Sequence, residues 1–426
     1  MRSGRELSAQ IVLYVTVAAA PAAVGALHLW GWGSVATVLF AFFVIYPESI
    51  WDKPHLPVFF ICSVSAVIAW VAVQGLLAGH GYDATTTELI KWLSYAAAFR
   101  VCLLLSRRQL LRLLSFLAVV GVVIAVWGLL RAGSGDEIFT WSAVERHQGY
   151  VKGPFLNRNH CAGFLELVMG TQLGLILHAM LKGRLLRAVV WTSALVISAA
   201  ALMRTGSRTG IACLGISLVC YSILLWRSSA EIRRKALWFL LCTSLAAIVG
   251  VVAGWKVLSF RIFELSDHLV SFEGRFSAWS EVIRMIQDHR WSGIGLGNFE
   301  WVYPGYQPGE LIFTWHHALN DYLELAAELG IPAFMLLFSA FASLWFLCNR
   351  RLYRMQRSSH SVAWGAMVGV SALALHGLND YNFAIPANVL IFMILFAASF
   401  RLLTSVTGGV TNGGPSTNHE VAASHN

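Results

Sequence analysis

Arginines suited to an anion and histidines suited to proton transfer gather in a few short stretches of this chain. Arg204-Thr-Gly-Ser-Arg208-Thr-Gly210 places two guanidinium forks four residues apart across a glycine-bearing turn, and such planar forks match the oxygens of a phosphate or carboxylate. Glu273-Gly-Arg275-Phe-Ser-Ala-Trp279 adds a third arginine. Phe276, Trp279, Ile283 and Ile286 follow at helical spacing, which predicts a short amphipathic helix lying at a membrane surface with Arg275 at its start. Trp315-His316-His317-Ala-Leu319-Asn320 offers a neutral imidazole for general-base work near neutral pH. Adjacent histidines point apart and no HExxH is present, so no metal is expected there. Gly153-Pro-Phe-Leu-Asn157-Arg158-Asn159-His160 and His376-Gly-Leu-Asn379-Asp380 add hydrogen-bonding groups. Each stretch also has a plainer reading. Asn157, Asn159 or Asn320 would cap a helix, Arg158 would reach up to lipid headgroups, and Asp380 would pair with an arginine or contact a sugar hydroxyl. Gly293-Ile-Gly295-Leu-Gly297 has neither dinucleotide-loop spacing nor a P-loop lysine and reads as a tight backbone turn.

The elements that hold these residues are membrane helices. The 426 residues are 57% hydrophobic and 12% charged, with a mean hydropathy of +0.64, whereas soluble domains are about 25% charged. Apolar stretches long enough to span a bilayer lie near 9–28, 32–48, 57–78, 88–105, 109–131, 160–181, 187–203, 208–226, 236–256, 319–347, 361–380 and 386–404. The fold class is therefore an all-α polytopic membrane protein of about twelve transmembrane helices. A long loop near 257–318 on the outer face carries short amphipathic helices. The net charge of +9 comes largely from clusters between spans, which are orientation signals rather than a nucleic-acid surface. With both termini in the cytoplasm, Arg107–Arg112, Lys182–Arg187, Arg227–Lys235 and Arg350–Arg357 all fall inside. The arginines at 204, 208 and 275 then lie outside, where a topology signal does not require them, and a bound anion is the simplest reason for them. The seven cysteines lie in or beside apolar spans without a CxxC and read as small core residues. The tail 405–426 reads as disordered and cytosolic. A transporter or flippase for an anionic substrate would use such arginines too, but it should show paired repeats and polar groups deep in the bilayer, and neither is evident. A non-catalytic partner for a lipid-linked glycan is the other alternative.

Taken together, GPFLNRNHCAGFLEL (153–167), RTGSRTG (204–210), GRFSAW (274–279), HRWSGIGLGNFEWVYPGY (289–306), NDYLELAAELGIP (320–332) and HGLNDYNFAIPAN (376–388) resemble the O-antigen ligase and polymerase family of bacterial membrane glycosyltransferases. The resemblance covers roughly residues 150–400, with 1–150 supplying further spans and 151–404 the core. It implies transfer of a glycan from a polyprenyl-diphosphate carrier at the periplasmic face of the inner membrane to a sugar or lipid A core acceptor. Neither metal nor cofactor is implied, and the partners are membrane lipid and other polysaccharide-export proteins. Arg208 and Arg275 take the places of the family's arginines, with Arg204 in reserve, as a clamp on the diphosphate. The family's His-Asn pair falls on Leu319-Asn320, with Gly330 ten residues on. Leucine accepts no proton. If the segment before Asn320 is extended, positions 317 and 319 share a face, so His317 is the proposed base, with His316 and Glu324 behind it. Asn157, Arg158, Asn159, His160, His316, Asn320 and Asp380 complete the expected substrate contacts. Trp279, Trp291, Trp301, Tyr303 and Trp315 are candidate sugar-stacking surfaces or an interfacial belt. The NRNH and NDYNFAIPAN stretches look more like exopolysaccharide polymerases than ligases.

Overall fold

A computed structural model describes residues 2–52, 56–77, 82–134, 149–226, 265–307, 315–353, 358 and 360–404, with isolated positions at 244, 248 and 252. These residues form helices and connections, without strands among them. In chain order the helices are α1 Arg2–Ala22, α2 Leu29–Ile45, α3 Val58–Leu77, α4 Tyr82–Leu104, α5 Arg107–Gly133, α6 Arg158–Leu181, α7 Leu185–Thr205 and α8 Arg208–Trp226. There follow α9 Leu265–Asp288, the single turn α10 Phe299–Val302, α11 Asp321–Leu329, α12 Ile331–Leu352, α13 His360–His376 and α14 Pro386–Thr404. Seven of them, α3, α5, α6, α7, α8, α12 and α14, are long and apolar enough to cross a membrane by length and composition. The span expected at 236–256 and the tail 405–426 lie outside the described residues.

The centre of the bundle is the antiparallel pair α6 and α13. Gly170 and Gly174 on one face Gly365 and Gly369 on the other. A β-carbon built on Gly365 would stand 2.3 Å from the Gly174 nitrogen and 2.4 Å from the Gly170 oxygen. Small residues four apart let helix backbones touch where no hydrophobic force separates helix from lipid. The contact aligns the start of α6 with the end of α13, and α7 and α14 pack around the pair. The starts of α6, α8, α11 and α14 and the ends of α7 and α13 thereby meet at one end of the bundle.

Two expectations need correction. The single span at 319–347 is broken into α11 and α12 at Gly330, whose φ of 78° and ψ of 156° lie in a region open almost solely to glycine. Pro332 then starts α12 without needing an amide partner. The carbonyls freed at the end of α11 are bonded elsewhere: Ile294 N donates to Ala327 O at 3.0 Å and Gly295 N to Glu328 O at 3.1 Å. Trp70 Nε1 donates to Leu329 O at 3.0 Å and Gln74 Nε2 to Glu328 O at 2.9 Å. The glycine run 293–297 is thus the tight turn expected, and its task is to dock α11 against α3. The second correction concerns α9. It begins at Leu265 and runs 24 residues, so Arg275 lies in mid-helix rather than at the start of a short one.

Gly365→Ala should cost about 1–3 kcal/mol by forcing α6 and α13 apart, seen as a lower melting midpoint of the purified protein. Gly215→Ala on α8 meets nothing within 4 Å and should leave the midpoint unchanged or slightly raised.

Candidate active site

At this end of the bundle the start of α6 is set by Asn157, whose Oδ1 accepts from Asn159 N at 2.9 Å. Asn157 is therefore the cap. Arg158 is buried, stacked on the Tyr150 ring at 4.4 Å with Nη1 donating to Thr205 O at 3.4 Å. It does not reach up to headgroups; it ties α6 to the end of α7. Val151 N donates to Arg204 O at 3.0 Å, a second tie between the same segments. Gly206 closes α7 in the left-handed conformation, φ 62°, and α8 begins two residues later at an exposed Arg208. The first turn of α8 presents backbone N–H groups and a partial positive charge. Its Thr209 Oγ1 accepts from Asn379 Nδ2 at 3.0 Å.

The histidine loop is built around Glu324. Its Oε1 lies 2.7 Å from His317 Nδ1, and its Oε2 accepts from Ala318 N at 2.8 Å. The segment before α11 does not meet the condition of being extended. Leu319 has a φ of 52°, which for a non-glycine residue costs about 1–3 kcal/mol, so positions 317 and 319 do not share a face by strand alternation. His317 is held by Glu324 one turn into α11 instead. Asn320 is the cap of α11, its Oδ1 accepting from Tyr322 N and Leu323 N at 3.1 Å each. With Nδ1 on a carboxylate, Nε2 is the nitrogen placed to take a proton from a bound molecule. Burial pulls the His317 imidazole down, but the Glu324 charge and hydrogen bond, with smaller help from Glu88 and Glu300, raise it above the ordinary histidine value.

Tyr381 joins the two halves. Its ring stacks on His317 with centroids 4.4 Å apart and planes at 16°, and His160 meets the same ring edge-on at 4.6 Å. Its hydroxyl accepts from Asn157 Nδ2 at 3.4 Å. Asn379 and Tyr381, two residues apart, thus reach Thr209 beside Arg208 on one side and His317 on the other. Two residues span no more than about 7 Å of backbone, so the contact to Thr209 and the stack on His317 are carried by one short loop.

Beneath that loop lies a buried cluster. Glu166 Oε1 is 2.7 Å from His376 Nδ1, and Asp380 Oδ2 is 3.7 Å from His376 Nε2. Glu166 and His376 are 0% exposed and Asp380 2%. Gly210 is pressed onto this cluster: a β-carbon there would stand 2.7 Å from Glu166 Oε1. Asp380 Oδ1 accepts from Tyr381 N at 2.8 Å. Asp380 therefore holds the loop that carries Tyr381 and is closed to a sugar hydroxyl, and its partner is a histidine rather than an arginine.

Residues 193–338 match a family model described as O-antigen ligase. No curated protein matches the chain. The matched ligase stretch carries Arg204, Arg208, Arg275, His317, Asn320 and Glu324. Asn157, His160, Glu166, His376, Asp380 and Tyr381, which pack around this end of the bundle, come from helices and loops on either side of it.

Other expected residues fall further out. The Arg275 side chain lies outside the described residues, though its helix is fixed to the site: Trp279, one turn on, donates through Nε1 to Ala318 O at 2.9 Å. Exposed His316 pairs with Glu300 at 2.6 Å. Tyr303 is fully buried, stacked on Phe299 at 5.0 Å, so it offers no surface to a sugar; Trp291 and Trp301 are exposed. The sequence reading missed Tyr381, Glu166 and the role of His376. Glu166 left a signal, being an acid in an otherwise apolar span, and such residues are functional or paired by default.

With its carboxylate partner, His317 should lose its base form as the pH falls through a value above that of an ordinary histidine, about 6.5. Glu324→Gln removes the charge that raises it. The acid limb of the transfer rate should move to lower pH and the plateau should fall. An unmoved limb in Glu324→Gln would show that His317 is not the titrating base.

Proposed function

We propose that this protein transfers a glycan from a polyprenyl-diphosphate donor to an acceptor hydroxyl at the periplasmic face of a bacterial inner membrane. The observation that carries the reading is the pairing, through Asn379 and Tyr381, of an arginine-headed helix start with a histidine oriented by a carboxylate. The O-antigen ligase match, which spans Arg208, His317 and Glu324, supports it.

Arg208, at the positive end of α8, binds the diphosphate, with Arg204 in the last turn of α7 close by and Arg275 on α9 as the second clamp. The polyprenyl tail lies along the bundle. His317 Nε2 takes the proton of the acceptor hydroxyl, and Glu324 stabilises the imidazolium that forms. The acceptor oxygen bonds to the anomeric carbon while the bond from that carbon to the diphosphate oxygen breaks. The electron pair leaves on the diphosphate, where the arginines are strongest because charge develops there. Glu166, His376 and Asp380 touch no reactant and fix the loop between clamp and base.

Arg208→Ala and Arg275→Ala should each lower transfer about 10²–10³-fold with the protein still in the membrane, and full activity in both would exclude the clamp. His317→Ala should cost about 10²–10⁴-fold. Deleting the gene and sizing the lipid-linked glycans that accumulate separates the two acceptor classes. Single repeats stranded on the carrier mean polymerisation, and long chains mean ligation. No stranded carrier of either kind would reject transfer.

A further inference from the structure

The far end of the bundle holds a second polar feature that glycan transfer does not use. Between α1, α5, α6 and α7 lies a cavity of about 410 Å³ lined by Arg108, Arg112, Arg184 and Arg187, with Tyr14 and Trp191 among its apolar walls. It opens where α6 ends and α5 and α7 begin. Leu175, His178 and Ala179 of α6 line it, about five to six turns after Arg158, which at 1.5 Å per residue puts the cavity roughly 30 Å from the candidate active site, about the thickness of a membrane's hydrocarbon core.

Four guanidinium groups around one cavity need compensation. Among the described residues no acid lines it, and none of the four arginines is in an ion pair. The helix dipoles make matters worse. Arg108 lies in the first turn of α5, Arg184 is the residue before α7, and Arg187 lies in the first turn of α7, where a cation meets the positive end of the dipole. The end of α6, the one negative pole present, is worth about half a charge. A topology signal explains four positive charges on this side of the membrane. It does not explain their convergence on one hollow, at helix ends that disfavour them. The walls below the charges are apolar: Leu111 and Leu175 line the cavity, and the Tyr14 ring stacks on Phe116 with centroids 4.7 Å apart. Charge above and hydrocarbon below match an amphiphile.

We propose that this cavity binds the phosphate headgroup of an anionic phospholipid, with the upper part of an acyl chain against Tyr14, Leu111 and Leu175. Basic hollows between membrane helices on the positive-inside face select such headgroups. A free phosphate would satisfy the arginines but leave the apolar wall without a partner.

The test uses the full-length protein in detergent, titrated with phosphatidylglycerol and with phosphatidylcholine of the same chains and followed by native mass spectrometry. Phosphatidylglycerol should bind in preference. Each charge beside an anionic headgroup is worth about a fivefold change in affinity, so the pair Arg112→Gln with Arg187→Gln should weaken retention at least about tenfold. Arg112→Lys with Arg187→Lys should keep most of it, which separates lost charge from lost fold. Equal affinity for the two lipids, or unchanged retention in the glutamine pair, would overturn the site. Release of the lipid by inorganic phosphate at equal concentration would overturn the lipid reading in favour of a small anion.

Discussion

The backbone contact between α6 and α13 is the constraint on which the active end depends. Where the helices cross, four glycines bring main chain against main chain, and that contact fixes the register between the two helices. That register puts Glu166, two turns into α6, opposite His376 at the last position of α13. It also lays the loop after α13 across the start of α6, where Tyr381 finds Asn157 and His160. Rigid helices carry the charges, and a short loop stretched between them carries the aromatic ring on which His317 rests.

The second organising feature is reciprocal stitching between α11 and that loop. Asp321 N donates to Gly377 O at 2.8 Å and to Asp380 O at 3.2 Å, while Asp321 Oδ1 accepts from Phe383 N at 3.0 Å. The His317 imidazole and the ring that supports it are therefore fixed to each other through backbone bonds as well as by stacking. The strained Leu319 sits between Ala318, which is held from both sides by Glu324 and Trp279, and the capping Asn320. Its unfavourable φ is what a short connection between two such anchors requires.

Much of this could be read in the sequence, because long apolar runs and arginine forks leave patterns that survive without a structure. The stretches 153–160, 204–210, 315–324 and 376–382 were recognisable by their polar content, and they do converge. What could not be read has a common physical cause. The break at Gly330 depends on a φ/ψ pair, and hydropathy runs straight through it. The left-handed turn at Leu319 is imposed by neighbours on both sides. Arg158 was open to two readings, a substrate contact or an interfacial side chain, because sequence does not show that Tyr150 lies beneath it. The burial of Asp380 depends on His376 and on helix register.

The Glu166–His376–Asp380 cluster has a consequence for descent as well as for chemistry. Two acids and an imidazole sealed from water offset one another's charge only as a set, because removing one partner strands a charge in a low-dielectric interior. The glycine at 210 leaves no spare volume beside them. A lineage cannot reach a different arrangement by single replacements, each of which passes through a less stable protein. Across relatives that share this bundle, the three positions and Gly210 should drift together or stay fixed.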